Sequence, residues 1–229
     1  MIRFALPVLA MSAIAVPAAA GPVVELTIHE NVEVEPDIAT VSAGVTTQAR
    51  TAVEAMRTNA QAMTAVVERI KQLGIAERDI QTAGISLGAM YDYNQQTQRQ
   101  VFRGYQASNR VSVKLRQIER TGDVLDALVA AGATDLGGPD FSVEDDTAAR
   151  AQARRTAMET ARAQALDYAR TAGFSDIRLL QIRESVASQP PMPFLRQARA
   201  ESAADASTPV QPGLVQAGVS VTVTYELTR

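Results

Sequence analysis

Residues able to do acid–base, nucleophilic or metal chemistry are scarce in this chain. It has 229 residues, with one histidine, His29, and no cysteine. A cysteine–histidine pair or a multi-histidine metal site therefore cannot be built, and a Ser-His-Asp triad would rest wholly on His29. The acidic run Glu144-Asp145-Asp146 could bind a hard cation, but its place before an alanine-rich stretch favours helix capping. We predict a protein with no catalytic residues, no metal and no cofactor.

A hydrolase that uses carboxylates alone is the unfavoured enzymatic alternative. Such an enzyme needs a pair of acidic residues facing one substrate. No pair stands out from the other acidic residues of this sequence. The remaining signals of function lie in the elements of the fold.

Residues 1–20 have the composition of a secretory signal peptide. Arg3 supplies a positive charge, an apolar run follows, and Ala18-Ala19-Ala20 forms a small-residue cleavage site. Export of a chain without cysteine favours the periplasm of a Gram-negative bacterium. Residues 21–229 would hold 21 basic and 25 acidic side chains, which argues against nucleic acid as a partner. No later apolar run is long enough to predict a transmembrane segment.

Period-2 alternation of apolar and polar residues predicts most of the strands. The longest alternating run is residues 213–229, which needs partners along its whole length. Residues 23–34 and 37–48 predict a β-hairpin that turns at Glu35-Pro36-Asp37. Further strands are predicted at 78–90, 105–115 and 177–186, with a brief one at Phe141 and Val143 after the turn-like Gly137-Gly138-Pro139-Asp140.

Three segments have the period of helices. The first begins at Thr51, with Glu54 at capping-box spacing, and ends at Gly74. The others are residues 119–131 and the alanine-rich 147–172. The predicted fold class is α+β, with long antiparallel β-strands forming curved sheets on which the three helices pack. Residues 21–229 are predicted to form one domain, or alternatively two subdomains at 21–117 and 118–229.

Three regions are candidates for contacts with other chains. Arg150 and Arg154 project into the apolar band of the long helix, so they need acidic partners, either Glu144 or a neighbouring subunit, or must extend past the sheet edge to solvent. Tyr91 and Tyr93 begin a polar, glutamine-rich stretch that predicts a hairpin tip at residues 91–101. The third region is the proline-rich loop 187–212, which is either disordered or ordered against a partner through Met192, Phe194 and Leu195.

Several short motifs, in order along the chain, resemble one known family. They are Pro36-Asp37-Ile38-Ala39, Leu73-Gly74-Ile75, Asp79-Ile80-Gln81-Thr82, Tyr91-Asp92-Tyr93, Ala130-Ala131-Gly132-Ala133, Ala153-Arg154-Arg155 and Ser220-Val221-Thr222-Val223-Thr224-Tyr225. Together they look like the SIMPL-domain family, also called DUF541, which includes bacterial periplasmic immunogenic proteins. The resemblance implies an envelope protein linked with stress tolerance, with rings or higher oligomers in some members, and no established reaction.

One position departs from the family's pattern. His29-Glu30-Asn31 stands where the family carries a Gly-x-Gly near the end of the first strand. Asparagine tolerates unusual backbone angles, so Asn31 could keep a bulge there.

The leading hypothesis is a periplasmic, non-enzymatic protein that forms homo-oligomers or binds an envelope protein. A holdase-like module that captures unfolded envelope proteins on exposed strand edges is the second hypothesis.

Overall fold

The computed structural model describes residues 21–186 and 208–229. The predicted signal peptide and most of the proline-rich loop, including Met192, Phe194 and Leu195, lie outside these ranges. The described elements, in chain order, are β1 Val23–Val34, β2 Ile38–Ala49, α1 Ala52–Gln72, β3 Ile80–Asn94, β4 Arg99–Leu115, α2 Thr121–Ala130, β5 Asp135–Ser142, α3 Thr147–Thr171, β6 Asp176–Val186 and β7 Val215–Thr228.

The strands form two antiparallel sheets, each with its own helical layer. The three-stranded sheet has the order β1-β7-β6 and the four-stranded sheet the order β3-β4-β2-β5. Helix α3 packs on the first sheet, whereas α1 and α2 share the core of the second. The α+β prediction is confirmed.

The predicted hairpin between the first two strands is wrong. β1 pairs with β7 over its full length, from Val23 opposite Glu226 to Val34 opposite Val215, and β2 lies in the other sheet. The residues around Pro36 form the connection between the two sheets, and the proline itself is buried. Alternation gives the buried face of a strand but leaves its partner open. The long terminal strand is confirmed as β7.

Helix α1 forms as its capping signals predict. The Thr51 hydroxyl accepts a hydrogen bond from the Glu54 amide at 3.2 Å, and Gly74 ends the helix with φ +85°. Its buried stripe faces β2 and β4 and consists of Ala55, Asn59, Met63, Val66 and Ile70. The core of the four-stranded sheet therefore lies under α1.

Helix α3 packs on the three-stranded sheet through a stripe of small side chains. An alanine is buried at every fourth position from Ala149 to Ala169. These alanines face the buried valines of β7, which include Val219, Val221 and Val223. Asp146 is the N-cap residue, and the Asp145 carboxylate accepts from the Thr147 amide at 3.0 Å. Of the acidic run, Asp145 therefore caps the helix, whereas the Asp146 carboxylate makes no capping hydrogen bond and lies at the positive end of the helix dipole.

The glycine-rich stretch before Pro139 is strand rather than turn. Gly137 and Gly138 belong to β5, which pairs with β2 through a break in register between Thr40 and Ser42. A side chain at Gly138, whose φ is +87°, would come within 2.7 Å of the Thr40 carbonyl oxygen. The glycine is therefore needed for close approach of two strands, not for reversal of the chain.

The departure at His29-Glu30-Asn31 produces no bulge. β1 and β7 keep unbroken register there, with His29 opposite Ser220 and Asn31 opposite Gly218. A side chain at Gly218 would lie 1.9 Å from Asn31 Oδ1. The asparagine is accommodated because its cross-strand partner has no side chain.

Candidate functional site

The β3–β4 hairpin extends as paired strand well into the stretch predicted to be a loop. β3 continues to Asn94, and Tyr91 and Tyr93 are strand residues rather than tip residues. The turn is short, because Asn94 Oδ1 accepts from the amides of Gln96 and Thr97 at 2.9 and 3.1 Å. Glutamine-rich composition wrongly predicted a loop here, because pairing with β4 keeps these residues in an extended strand.

The near half of this hairpin has an apolar face that no helix covers. Leu87 lies opposite Ala107, which is fully buried under α1, so both side chains point to the helical side of the sheet. Helix α1 covers β2 and β4, but β3 lies beyond it at the edge. Ile85 and Leu87 consequently remain 58% and 46% exposed.

Three aromatic rings continue this face toward the tip. A register break between Met90 and Tyr91 brings Tyr91 opposite Phe102. The Phe102 ring makes edge-to-face contacts with Tyr91 and Tyr105, with centroid distances of 5.8 and 5.3 Å. Tyr93, two residues beyond Tyr91, shares its side of the strand. We call the exposed set Ile85, Leu87, Tyr91, Tyr93 and Phe102 the hairpin face.

The hairpin face adjoins an open sheet edge. β3 pairs only with β4 among the described strands, so its other side presents backbone N–H and C=O groups. Natural edges are often protected by lysine or proline, and β3 has neither. Its protection consists of two register breaks and one charged side chain, Asp92, near the tip.

Strand β6 is an edge of the other sheet, and β1 and β5 are the remaining edge strands of the two described sheets. β6 pairs only with β7 among the described strands, and Leu179, Leu180 and Ile182 are 45–50% exposed. Leu179 and Ile182 lie opposite Tyr225 and Val223, on the side of the sheet that α3 covers for β1 and β7.

The two arginines predicted to need acidic partners find them within the chain. Arg150 Nε donates to Asp146 Oδ2 at 2.7 Å, one helical turn away. Arg154 makes a two-pronged pair with Glu184 of β6, in which Nη2 donates at 2.7 Å. This hydrogen bond lowers the pKa of the Glu184 carboxyl group. Glu144, one of the partners considered for them, instead pairs with Arg116 and Lys114.

The candidate residues do not converge on one site. The two tyrosines lie on the four-stranded sheet, whereas the two arginines lie on α3 against the three-stranded sheet. Sequence reasoning missed Ile85, Leu87 and Phe102 as exposed residues because alternation also predicts a buried face. No sequence signal distinguished the two cases, because the sequence does not show that β3 lies at the sheet edge beyond α1.

Chemistry-bearing side chains remain dispersed across the described residues. Within residues 21–186 and 208–229, no three His, Asp or Glu side chains come together as metal ligands. His29 is exposed on the outer face of β1. No helix within these same ranges is both long and apolar enough to span a membrane.

Comparison with known proteins gives matches along nearly the whole chain. A family model named SIMPL, described as a protein of unknown function (DUF541), matches residues 24–225. The 26 kDa periplasmic immunogenic protein of Brucella melitensis is 33% identical over 198 residues, covering 84% of this chain and 79% of that protein. The uncharacterized protein YggE of Escherichia coli K12 is 26% identical over 208 residues, covering 90% and 84% respectively.

Proposed function

The chain belongs to the SIMPL (DUF541) family, and from that membership we propose that it is a non-enzymatic periplasmic protein that acts by assembling with copies of itself. One observation carries this proposal, namely the uncovered hairpin face beside the open edge of β3. Five large apolar side chains, each about half exposed or more, share one face there. Contiguous apolar surface of this kind typically marks a protein–protein contact.

Two of the four edge strands of the described sheets, β3 and β6, support a head-to-tail mode of assembly. β3 and β6 belong to different sheets and carry different side chains, so a contact between them joins two unlike surfaces of neighbouring copies. Unlike surfaces generate rings when the rotation closes and filaments when it does not. Strand addition would satisfy the backbone groups of both edges, and the hairpin face would be buried alongside.

The first test is the absolute mass of the protein, measured by light scattering on a sizing column. The full chain is expressed and the protein is purified from the periplasmic fraction. We expect a stable species of several protomers across concentration. A monomer at every concentration would reject self-assembly.

Paired substitutions then locate the contact. Leu87→Lys together with Phe102→Lys places two charges on the hairpin face and is expected to yield smaller species. Val129→Lys is the matched control, because Val129 is 56% exposed at the end of α2, outside the hairpin face. Unchanged mass in the double variant would exclude this face as the interface.

Arg150 and Arg154 remain proposed contacts of lower rank, since both already have carboxylate partners. Arg150→Glu with Arg154→Glu tests them. Because Arg154→Glu also breaks the pair with Glu184, thermal unfolding is measured beside mass. A changed assembly state with an unchanged melting temperature would support a contact between subunits, and an unchanged assembly state would remove the arginines from the proposal.

A holdase-like module is the second candidate function, favoured by the exposed edge of β6. Capture of an unfolded envelope protein by strand addition would use the same open edge. We expect the protein to suppress aggregation of a denatured client protein at substoichiometric ratios of oligomer to client. Complete lack of suppression would reject this candidate.

Location and physiological role rest on the family. The Brucella relative is named as a periplasmic protein, and we propose the same compartment for this chain. Cell fractionation tests it directly. The proposed link with envelope stress tolerance predicts that a deletion strain survives oxidant or detergent challenge less well than its parent, and equal survival would reject it.

A further inference from the structure

A cavity of about 340 Å³ lies between the end of α1, the start of β3 and the junction of β4 with α2. Four apolar side chains form part of its wall: Leu73, Ile75, Leu115 and Val124. Leu115 and Val124 are 3% and 4% exposed, so this wall is continuous with the core under α1. A cavity of this size is at the lower end of the range for small-molecule sites.

The polar part of the lining is strongly cationic. It contributes four cations, Arg78, Lys114, Arg116 and Arg120, and one carboxylate, Asp79. The Asp79 side chain is only 7% exposed and receives two hydrogen bonds from Arg116, at 3.2 and 3.1 Å. This pair is fixed in the wall and leaves little of either charge available to a ligand.

Glu144 neutralises part of the remaining charge. It pairs with Arg116 and lies 3.7 Å from Lys114 Nζ. The charge of Lys114 is therefore partly neutralised by Glu144, a carboxylate that does not line the cavity. The excess of positive charge falls on the two other arginines.

Arg78 and Arg120 are the groups best placed to receive an anion. Arg78 Nε is 4.0 Å from Asp79 Oδ2, at the limit of an ion pair, and its side chain is 78% exposed. Arg120 donates to the neutral Gln117 side chain at 3.0 Å and has no carboxylate within 4.0 Å in the described ranges. Guanidinium groups bind carboxylates through two parallel hydrogen bonds.

We propose that this cavity binds a small monocarboxylate with an apolar body, of the class of medium-chain fatty acids. The hydrocarbon chain lies against the apolar wall and the carboxylate is held by Arg78 and Arg120. At roughly 30 Å³ per non-hydrogen atom, the share of a water molecule in the liquid, the cavity has room for about ten such atoms. An eight-carbon acid has that size.

The direct test is octanoate binding, measured by calorimetry on the protein that is purified after expression of the full chain. Acetate supplies the charge without the chain, and octan-1-ol supplies the chain without the charge. We expect saturable binding of octanoate, at least tenfold tighter than that of either control. Affinity should fall as salt is raised, because both arginines are at the solvent boundary. Absence of saturable octanoate binding, or equal binding of octan-1-ol, would overturn the proposal.

A double variant tests the assigned residues. Arg78→Gln with Arg120→Gln leaves the Asp79–Arg116 pair intact and is expected to weaken octanoate binding at least tenfold. Arg57→Gln, an exposed charge on α1 outside the cavity, is the matched control and should bind as the parent does. Equal loss in the control, no loss in the double variant, or tighter binding of octyl phosphate than of octanoate would each overturn the proposal.

Discussion

At the scale of single residues, two asparagines near Val45 differ in whether their buried amide groups are hydrogen-bonded. Asn59, 2% exposed, donates from Nδ2 to the Val45 and Ala107 carbonyl oxygens at 2.8 and 3.1 Å. Asn109 lies opposite Val45, and its buried Oδ1 has no hydrogen-bond partner within the described structure. We expect Asn59→Leu to lower the free energy of unfolding by about 1–3 kcal/mol, because two carbonyls lose a buried donor. Asn109→Leu should be neutral or stabilising, and urea unfolding of both variants checks the difference in sign.

Asp79 gives a prediction about acid stability. The hydrogen bonds from Arg116 hold the pKa of its carboxyl group below the ordinary value. Since the folded-state pKa is below the unfolded value of about 3.9, ionised Asp79 stabilises the fold above that pH and loses this effect as pH falls through the folded-state pKa. Asp79→Asn should therefore be less stable at pH 7 and lose less stability on acidification than the parent.

Glu77 is the matched control for that titration. Its pKa is also lowered, by the hydrogen bond from Lys71, but its side chain is 78% exposed. Solvent screens such a pair, so Glu77→Gln should change the acid dependence less than Asp79→Asn does. Thermal unfolding between pH 7 and pH 3 measures both, and a larger effect at Glu77 would contradict the assignment.

At the scale of elements, the pairing of β1 with β7 depends on one small residue. A Cβ at Gly218 would meet Asn31 Oδ1 at 1.9 Å and the Glu30 carbonyl oxygen at 2.7 Å. We expect Gly218→Ala to lower the free energy of unfolding by about 1–3 kcal/mol. Adding Asn31→Gly should restore part of the loss, because the backbone contact remains. Gly88→Ala is the control, since no atom lies within 4 Å of its added Cβ, and an equal cost there would contradict the explanation.

What the sequence could predict at this scale was local. Thr51, Glu54 and Gly74 define α1 because caps and breakers act within a few residues. The partner of β1 could not be predicted, since Val24, Leu26 and Ile28 alternate in a way that suits any apolar neighbour. Tyr91 was misplaced in a loop for a related reason, because Phe102 on the opposite strand stabilises its extended conformation. The exposed hairpin face follows from how far α1 reaches over the sheet, which alternation does not encode.

At the scale of the whole molecule, the described chain has two cores rather than one. Ala161 and Val221 belong to the core under α3, whereas Val66 and Val113 belong to the core under α1. We expect Ala161→Leu to overpack the first core at a cost of about 1–3 kcal/mol and to speed hydrogen exchange in β1, β7 and α3. Amides of α1 and β2 should keep their protection. Ala163→Leu, at an exposed position of α3, is the control, and uniform loss of protection throughout the chain would contradict two separable cores.

The pairing of β1 with β7 also determines the order in which the sheets can fold when the chain emerges from its amino-terminal end. The four-stranded sheet and its two helices lie within residues 38–142 and can assemble as soon as that stretch exists. β1 must wait, because the hydroxyls of Thr27 and Thr222, 2.9 Å apart in the fold, are 195 positions apart in the chain. During that interval β1 is an amphipathic strand without a partner, and β7 of a neighbouring, incompletely folded chain can pair with it first. The local concentration of incompletely folded chains where they emerge, more than the strength of the finished contacts, would then decide whether each molecule pairs its own β1 and β7 or exchanges strands with another.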